Sequence, residues 1–113
     1  MSSSPRIQTF AEFWPYYLGE HRHPTCRLLH FIGSTLALGQ LVAAVVLGQP
    51  QLGLTALLTG YGFAWVGHFL IEKNRPATFK YPLWSFIGDW KMWALTLTGK
   101  LGPELDRAGV TTR

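Results

Sequence analysis

The longest uncharged segment of the chain lies between Arg27 and Glu72, where 44 consecutive residues contain no Asp, Glu, Lys or Arg. A helix needs roughly 20 apolar residues to cross a bilayer core of about 30 Å, so this segment is long enough to cross twice. Residues 48–51, Gly-Gln-Pro-Gln, supply a turn near its middle. Only 14% of the chain is charged, against about 25% in soluble domains. We therefore predict an all-α integral membrane helical bundle built on a two-span hairpin.

Basic residues flank both ends of this segment. Arg22 and Arg27 precede the first span, and Lys73, Arg75 and Lys80 follow the second. Because cytoplasmic flanks of membrane helices are rich in Lys and Arg, both flanks are predicted to lie on the cytoplasmic side. This topology accounts for the net charge of +4. We expect the lipid bilayer as a partner and no nucleic acid, since the basic residues are not interleaved with aromatics on a polar face.

The chain reads as one domain with two short ends. Residues 1–8 form a Ser-rich leader without periodicity, which predicts disorder. Residues 9–101 form a single membrane-embedded helical domain, and residues 102–113 are predicted to be a polar tail. No internal repeat divides the sequence.

The first helix of this domain begins at a capping signal. Thr9 and Glu12 make a T-x-x-E capping box, and an aromatic stripe follows at helical spacing, which predicts an interfacial N-terminal helix. Pro15 predicts a kink or an early end of that helix. Further apolar helices are predicted over residues 26–47, 52–71 and 83–101. Whether the third of these crosses the membrane is left open by the sequence.

Two of the four histidines lie inside the uncharged segment. His30 stands near the start of the first span, and His68 stands near the end of the second. Antiparallel packing puts both roughly 3–5 Å below the same membrane face, at 1.5 Å of rise per residue. Because ionisable groups inside a membrane are costly and usually functional, a shared site is favoured over two separate packing hydrogen bonds.

Two further groups are predicted to join this pair. Glu72 stands four residues after His68, hence on the same helix face, and His21 lies just upstream of the first span. Imidazole and carboxylate ligands together suit iron, zinc or manganese, and such a site with open positions is typical of non-haem Fe(II) oxygen chemistry. The alternative for Glu72 is a solvated helix end paired to Lys73 or Arg75.

Asp89 and Arg75 are the remaining charged candidates. Asp89 either pairs with Lys91 or Arg75, or orients a ligand histidine by accepting its second N–H, and we favour the latter. The guanidinium of Arg75 suits an acidic headgroup or a carboxylate.

Four stretches of the sequence resemble a known family. They are residues 13–21 (FWPYYLGEH), 29–33 (LHFIG), 60–79 and 81–85. These stretches resemble the small integral-membrane family of 2-hydroxy fatty acid dioxygenases. The most distinctive is the G-H-x-x-x-E-K-x-x-P-A block at residues 67–77, and the resemblance covers roughly residues 10–93.

The resemblance implies an enzyme that uses Fe(II) and O2, without 2-oxoglutarate, to convert a 2-hydroxy fatty acid into the fatty acid one carbon shorter. It implies a bacterial inner-membrane protein, or an endoplasmic-reticulum protein in a eukaryote, with its site near the cytoplasmic face. By motif, the implied metal ligands are His21, His30, His68 and Glu72.

Four residues are candidates for catalysis and substrate binding under this reading. Glu72 and Tyr61 are the candidate catalytic residues, Tyr61 as a hydrogen-bond donor. Arg75 and Lys73 are the candidates for steering the acidic head of the substrate.

Two other classes of function stay open. One is a small haem-binding electron carrier with His30 and His68 as axial ligands. The other is a non-catalytic membrane scaffold or small-solute transporter whose histidines serve helix packing or proton relay. Whether the protein forms a homo-oligomer is also left open.

Overall fold

The structure is a computed structural model that describes residues 6–110. Within that range every regular element is helical, so the predicted all-α class is confirmed. The helices are α1 (Phe10–Gly19), α2 (Pro24–Val46), α3 (Gln51–Val66), α4 (Pro82–Leu97) and α5 (Leu101–Arg107). A π-helical turn (Gly67–Glu72) continues α3 directly, and a short 3-10 turn (Ala77–Phe79) precedes α4.

α2 and α3 pack against each other as the predicted hairpin. The chain reverses at Gly48, whose φ of 66° is in the left-handed region that glycine adopts without penalty. The helices approach closely at Gly33, where a Cβ would lie only 2.6 Å from Phe63 Cβ. α2, with 23 residues, and α3 with its π-helical turn, with 22, are long and apolar enough to cross a membrane.

The outward faces of the hairpin half next to its turn have little protein cover. Val45 is 83% exposed and Leu58 is 67% exposed. Only 17% of the most apolar window of each long helix is buried inside the protein. Apolar side chains that face outward along a helix of this length are typical of a helix in lipid, and the fold is consistent with a helical membrane bundle.

α1 begins as the sequence predicts. The Glu12 N–H donates a hydrogen bond of 3.2 Å to Thr9 Oγ1, which confirms the cap. The early end predicted from Pro15 is wrong, because α1 continues to Gly19. Pro15 and Ala11, the residue four positions earlier, are both exposed. Because proline has no N–H, the Ala11 carbonyl lacks its helical partner, and it lies on the outer side of α1.

α1, α4 and α5 enclose an aromatic core beside the other end of the hairpin. Its fully buried members include Phe13, Tyr17 and Leu18 of α1, and Met92 of α4 is 2% exposed. α4 has 16 residues, or about 24 Å of helix, so it is shorter than either span.

The C-terminal segment packs more closely than a polar tail would. Of the predicted polar tail, residues up to Arg107 form α5, where Leu105 is 4% exposed and Trp14 Nε1 donates to Glu104 at 2.9 Å. This segment packs because its apolar residues meet the aromatic core. Residues 111–113 lie outside the described residues, as do residues 1–5 of the leader; at residue 7, the Ile7 N–H donates to the Tyr81 hydroxyl at 3.1 Å.

Candidate metal centre

Three histidines from three different elements meet in the interior. His21 follows the end of α1, His30 lies in α2, and His68 lies in the π-helical turn. His21 Nε2 is 3.1 Å from His30 Nε2 and 3.0 Å from His68 Nε2. The exposed fractions are 1%, 5% and 2%. The rings of His30 and His68, which were predicted to lie at one depth, are close together, with centroids 5.0 Å apart.

Each of these rings is held through its other nitrogen. The Nδ1 atom of His21 is 2.7 Å from the Tyr17 carbonyl oxygen, and that of His30 is 3.0 Å from the Cys26 carbonyl oxygen. The Nδ1 atom of His68 is 2.8 Å from Asn74 Oδ1. Since these oxygens only accept, Nδ1 carries the hydrogen in each neutral ring. The three Nε2 atoms consequently face one another with free lone pairs.

This donor set fits a metal ion. Two nitrogens bound at right angles, each about 2.1 Å from a metal, are about 3.0 Å apart, which matches the separations found here. Three lone pairs this close repel one another unless a cation lies between them. Burial and the neighbouring His30 and His68 also lower the pKa of His21 well below its usual value, which favours the neutral form that binds metals.

The π-helical turn places His68 and its partner. Lys73 ends the turn in the left-handed conformation, with φ 60° and ψ 43°. The Asn74 N–H then donates to the His68 carbonyl oxygen at 2.9 Å, which turns the chain back on itself. Asn74 Nδ2 donates to the Glu20 carbonyl oxygen at 3.1 Å, and this contact fixes the amide so that its oxygen faces His68. π-helical turns occur often at functional sites.

Glu72 does not join the histidines. Its Oε2 accepts a hydrogen bond of 2.7 Å from the His23 N–H, at the N-terminus of α2. The prediction assumed an α-helix between His68 and Glu72, whereas the segment is a π-helical turn and the Glu72 carboxylate is held at the start of α2. A carboxylate at a helix N-terminus also stabilises that helix. In the described residues the three histidines form the cluster without a carboxylate.

Asp89 is linked to the histidines through Tyr17. It is not a partner of a histidine N–H; its Oδ1 accepts a hydrogen bond from the Tyr17 hydroxyl. The Tyr17 ring stacks on His21 with centroids 4.1 Å apart. Burial raises the pKa of Asp89 to about 7.

The other predicted residues divide into two groups. Tyr61 lies beside His30, at the wall of the cavities described below. Lys73 and Arg75 instead line a separate groove with Phe69 and Leu70, and the Arg75 guanidinium lies over the Phe79 ring at 5.3 Å. These two basic residues are exposed, and the structure does not bring them to the histidines.

Two cavities adjoin the histidines. The smaller, of about 10 Å³, has room for one water-sized molecule and is lined by all three rings and by Ser85. The larger, of about 310 Å³, is lined mainly by apolar residues of α2, α3 and α4. His30, Tyr61, Ala64 and Asp89 line both cavities, so the two cavities are adjacent.

Three residues of the site were not predicted from the sequence. Asn74 and Tyr17 are contacts of the histidines, and both lie within stretches that carry the family resemblance. Ser85 is 2% exposed, and its Oγ has no hydrogen-bond partner among the described residues. A serine in an apolar helix is a weak signal, because only the packing shows that its hydroxyl is unpartnered.

Comparison with known proteins identifies the family. The family model described as 2-hydroxy-palmitic acid dioxygenase Mpo1-like matches residues 7–101. No curated protein and no solved structure matches the chain. The match covers every element that supplies a histidine to the centre. The chain therefore belongs to the Mpo1-like family.

Proposed function

We propose that this protein is an Fe(II)-dependent dioxygenase of the membrane that converts a 2-hydroxy fatty acid into the fatty acid one carbon shorter. The family description supports the substrate class and the reaction class. Three convergent imidazoles support the metal dependence. The two long apolar helices support a place in the bilayer, the bacterial inner membrane or the endoplasmic reticulum, with the centre near the cytoplasmic face.

The observation that carries the proposal is the convergence of the three Nε2 atoms, with His21, His30 and His68 as the metal ligands. Three imidazoles leave further coordination positions for substrate, as non-haem iron oxygenases require. When bound, Fe(II) supplies the redox chemistry for the reaction of O2 with the acid. The acid itself provides the electrons: it loses its carboxyl carbon as CO2, the former hydroxyl carbon becomes the new carboxyl, and water is released. No 2-oxoglutarate is consumed in this balance.

The chain's own residues orient the metal ligands and receive the substrate. The acceptors on the Nδ1 atoms fix each ring, which also raises the basicity of the Nε2 atoms. We assign Tyr61 and Asp89 to the head of the acid, because both line the cavities next to His30. Asp89, with its raised pKa, can carry the proton that hydrogen-bonds to a carboxylate.

The contacts favour this function over the two alternatives. A haem between His30 and His68 needs a flat space between their rings, but His21 stands there, with ring centroids 4.5 Å and 4.4 Å from theirs. A purely packing role would leave three buried lone pairs opposed without a hydrogen between them, which is costly.

Metal analysis tests the proposal. Protein purified without O2 in detergent is expected to bind Fe(II) at close to one ion per chain and to convert 2-hydroxy fatty acids when O2 is admitted. His21→Ala, His30→Ala and His68→Ala are each expected to lose the iron and the activity. His23→Ala is the matched control, because His23 lies next to the site but is outside the cluster, and it should keep both. A strong haem absorption band, or no metal binding after reconstitution, would overturn the proposal.

The orientation is tested separately. A reporter fused after Arg113 is expected on the cytoplasmic side, and one inserted next to Pro50 on the opposite side. Equal locations would contradict the two-span arrangement.

A further inference from the structure

We propose that the larger cavity binds the alkyl chain of the substrate, and that its far end, at Leu41, Ala56 and Leu57, sets the longest chain that the enzyme accepts. This inference rests on the proposed function and adds to it the orientation of the chain and the residues that select its length.

The cavity changes character along its length. At one end lie His30, Tyr61 and Asp89, which can contact a polar group. Beyond them the walls are apolar, and Leu41, Ala56 and Leu57 line the far end, where Ala56 is buried and the two leucines are partly exposed. An amphipathic acid fits this arrangement in one direction only, with its head at the histidines and its tail toward the hairpin turn.

Small side chains keep the space open between the helices. Ala37 of α2 faces Gly60 of α3, where an added Cβ would lie 3.6 Å from Ala37 Cβ. Four of the lining residues of α2 follow one helix face at spacings of four, three and four residues, namely His30, Ser34, Ala37 and Leu41. These four side chains form a continuous row along α2 that lines the cavity.

The length of this row suits a long alkyl chain. From His30 to Leu41 the helix rises by about 16 Å, at 1.5 Å per residue. One leaflet accounts for half of the bilayer core of about 30 Å. The row is therefore about as long as the fatty chain of a membrane lipid. The volume of about 310 Å³ is at the lower end of the range of small-molecule sites, about 300–1,000 Å³.

The first test shortens the cavity. Ala56→Leu adds bulk at the far end, where Ala56 is 2% exposed. The rates on 2-hydroxy acids of increasing chain length, compared within one preparation, should shift toward shorter chains by at least tenfold in the ratio of short to long. Thr55→Leu is the control, because Thr55 stands at the same depth, is exposed and does not line the cavity. An unchanged ratio in Ala56→Leu would overturn the proposal.

The second test lengthens the cavity, so that a folding defect cannot imitate the result. The double variant Leu41→Ala, Leu57→Ala removes the two large side chains that line the far end. It should gain activity on acids longer than the wild-type limit. Equal preference in the double variant and the wild type would also overturn the assignment.

A binding measurement separates this inference from the proposed function. Trp90 lines the cavity, so a fatty acid brominated near its tail should quench its fluorescence. Saturable quenching in the wild type should be lost in Trp90→Phe and weakened in Ala56→Leu. If no variant oxidises any 2-hydroxy acid but this quenching occurs, the proposed function fails and the chain site stands. If the enzyme oxidises 2-hydroxy acids but the quenching is equal in wild type and Trp90→Phe, only the alkyl-chain site is refuted.

The unpartnered Ser85 hydroxyl carries a second inference independently. We infer that Ser85 donates a hydrogen bond to an oxygen atom of the ligand, O2 or substrate, that shares the small cavity with the three imidazoles. A buried hydroxyl without a partner is costly, and nearly all such groups in native proteins are satisfied. The small cavity that Ser85 lines with the histidines is the place where a ligand would satisfy it.

Azide binding tests the role of Ser85 without turnover. Protein loaded with cobalt(II), whose visible spectrum reports its ligands, is titrated with azide. Ser85→Ala should weaken azide binding about fivefold to tenfold, the loss expected for one hydrogen bond. Ser85→Thr, which keeps the hydroxyl, should bind azide almost as tightly as the wild type. Thr25→Ala, which removes an exposed hydroxyl near the site, is the control and should not change.

Stability measurements exclude a folding explanation. Without metal, Ser85→Ala should melt at or above the wild-type temperature, because it removes an unpartnered buried hydroxyl. Azide affinity that is unchanged in Ser85→Ala, or equally weak in Ser85→Ala and Ser85→Thr, would overturn the role of Ser85.

Discussion

The two ends of the molecule use similar apolar residues in opposite surroundings. Beside the histidine end of the α2–α3 hairpin, Phe13 and Leu18 of α1 are fully buried in the core that α1 forms with α4 and α5. At the turn end, Val45 and Leu58 are 83% and 67% exposed. The first end is therefore stabilised by contacts within the chain, whereas the second exposes apolar side chains, as is typical of a helix in lipid.

Equal truncations at the two ends should give the largest contrast. Leu18→Ala removes a fully buried side chain and should lower the free energy of unfolding in detergent by about 2–5 kcal/mol. Leu58→Ala should change it by no more than about 0.5 kcal/mol. Thermal unfolding of the two variants in the same detergent checks this. Similar losses would show that the turn end is packed against protein, for example in an oligomer.

The close contact between α2 and the π-helical turn gives the next largest effect. A Cβ on Gly67 would lie 2.9 Å from Cys26 Sγ, so Gly67→Ala must push α2 and the turn apart beside the histidines. We expect a destabilisation of about 1–3 kcal/mol and weaker metal binding. Gly62→Ala, on the open side of α3, is the control and should be neutral or slightly stabilising. Melting temperature and metal content report the two results, and equal behaviour of both variants would argue against close packing here.

The next prediction concerns the hydrogen bond between Asn74 and His68 at the buried end. Asn74→Ala removes the acceptor of the His68 Nδ1–H and should weaken metal binding about 10-fold to 100-fold. Competition with a chelator measures this affinity. Arg75→Ala is the neighbouring control and should leave it unchanged. A loss in Arg75→Ala as large as in Asn74→Ala would mean that the loop as a whole, and not the amide, holds His68.

The last prediction is a pH dependence at Asp89, which vanishes at low pH. Its pKa rises from about 3.9 in the unfolded chain to about 7 when folded, because burial disfavours the charged form. The folded protein therefore holds the proton more tightly, and Asp89 stabilises the fold less as the pH rises from 4 toward 7. In metal-free protein, Asp89→Asn should gain melting temperature over the wild type above pH 7. This gain should shrink toward pH 4, and a gain that is constant with pH would contradict the raised pKa.

Much of the fold and part of the site follow from the sequence. The uncharged segment and the turn at residues 48–51 predict the hairpin, and the regular rise of a helix is enough to place His30 and His68 at one depth. Thr9 predicts the start of α1 because a cap depends only on neighbouring residues. These features are local, or they follow from helix geometry alone.

The rest depends on contacts between distant parts of the chain. Glu72 was expected beside His68, but a π-helical turn cannot be read from the apolar pattern of residues 67–72. The segment that contains Leu105 looks polar until the aromatic core of α1 is in place to receive its apolar face. Asn74 becomes a partner of His68 only because Lys73 adopts a left-handed conformation.

The anchoring of each imidazole by its own part of the chain has a consequence for assembly. His21 and His30 each bond to the carbonyl four residues earlier, and His68 bonds to a residue of the loop that follows it. His21 and His30 are thus held by local contacts, whereas the Asn74 amide that holds His68 is itself fixed by Glu20. A metal ion would act as a removable crosslink between α1, α2 and the π-helical turn. Its binding energy would then become folding energy. In a chain that obtains little of its stability from protein contacts at the turn end, loading of the metal would be the last step that locks the tertiary structure.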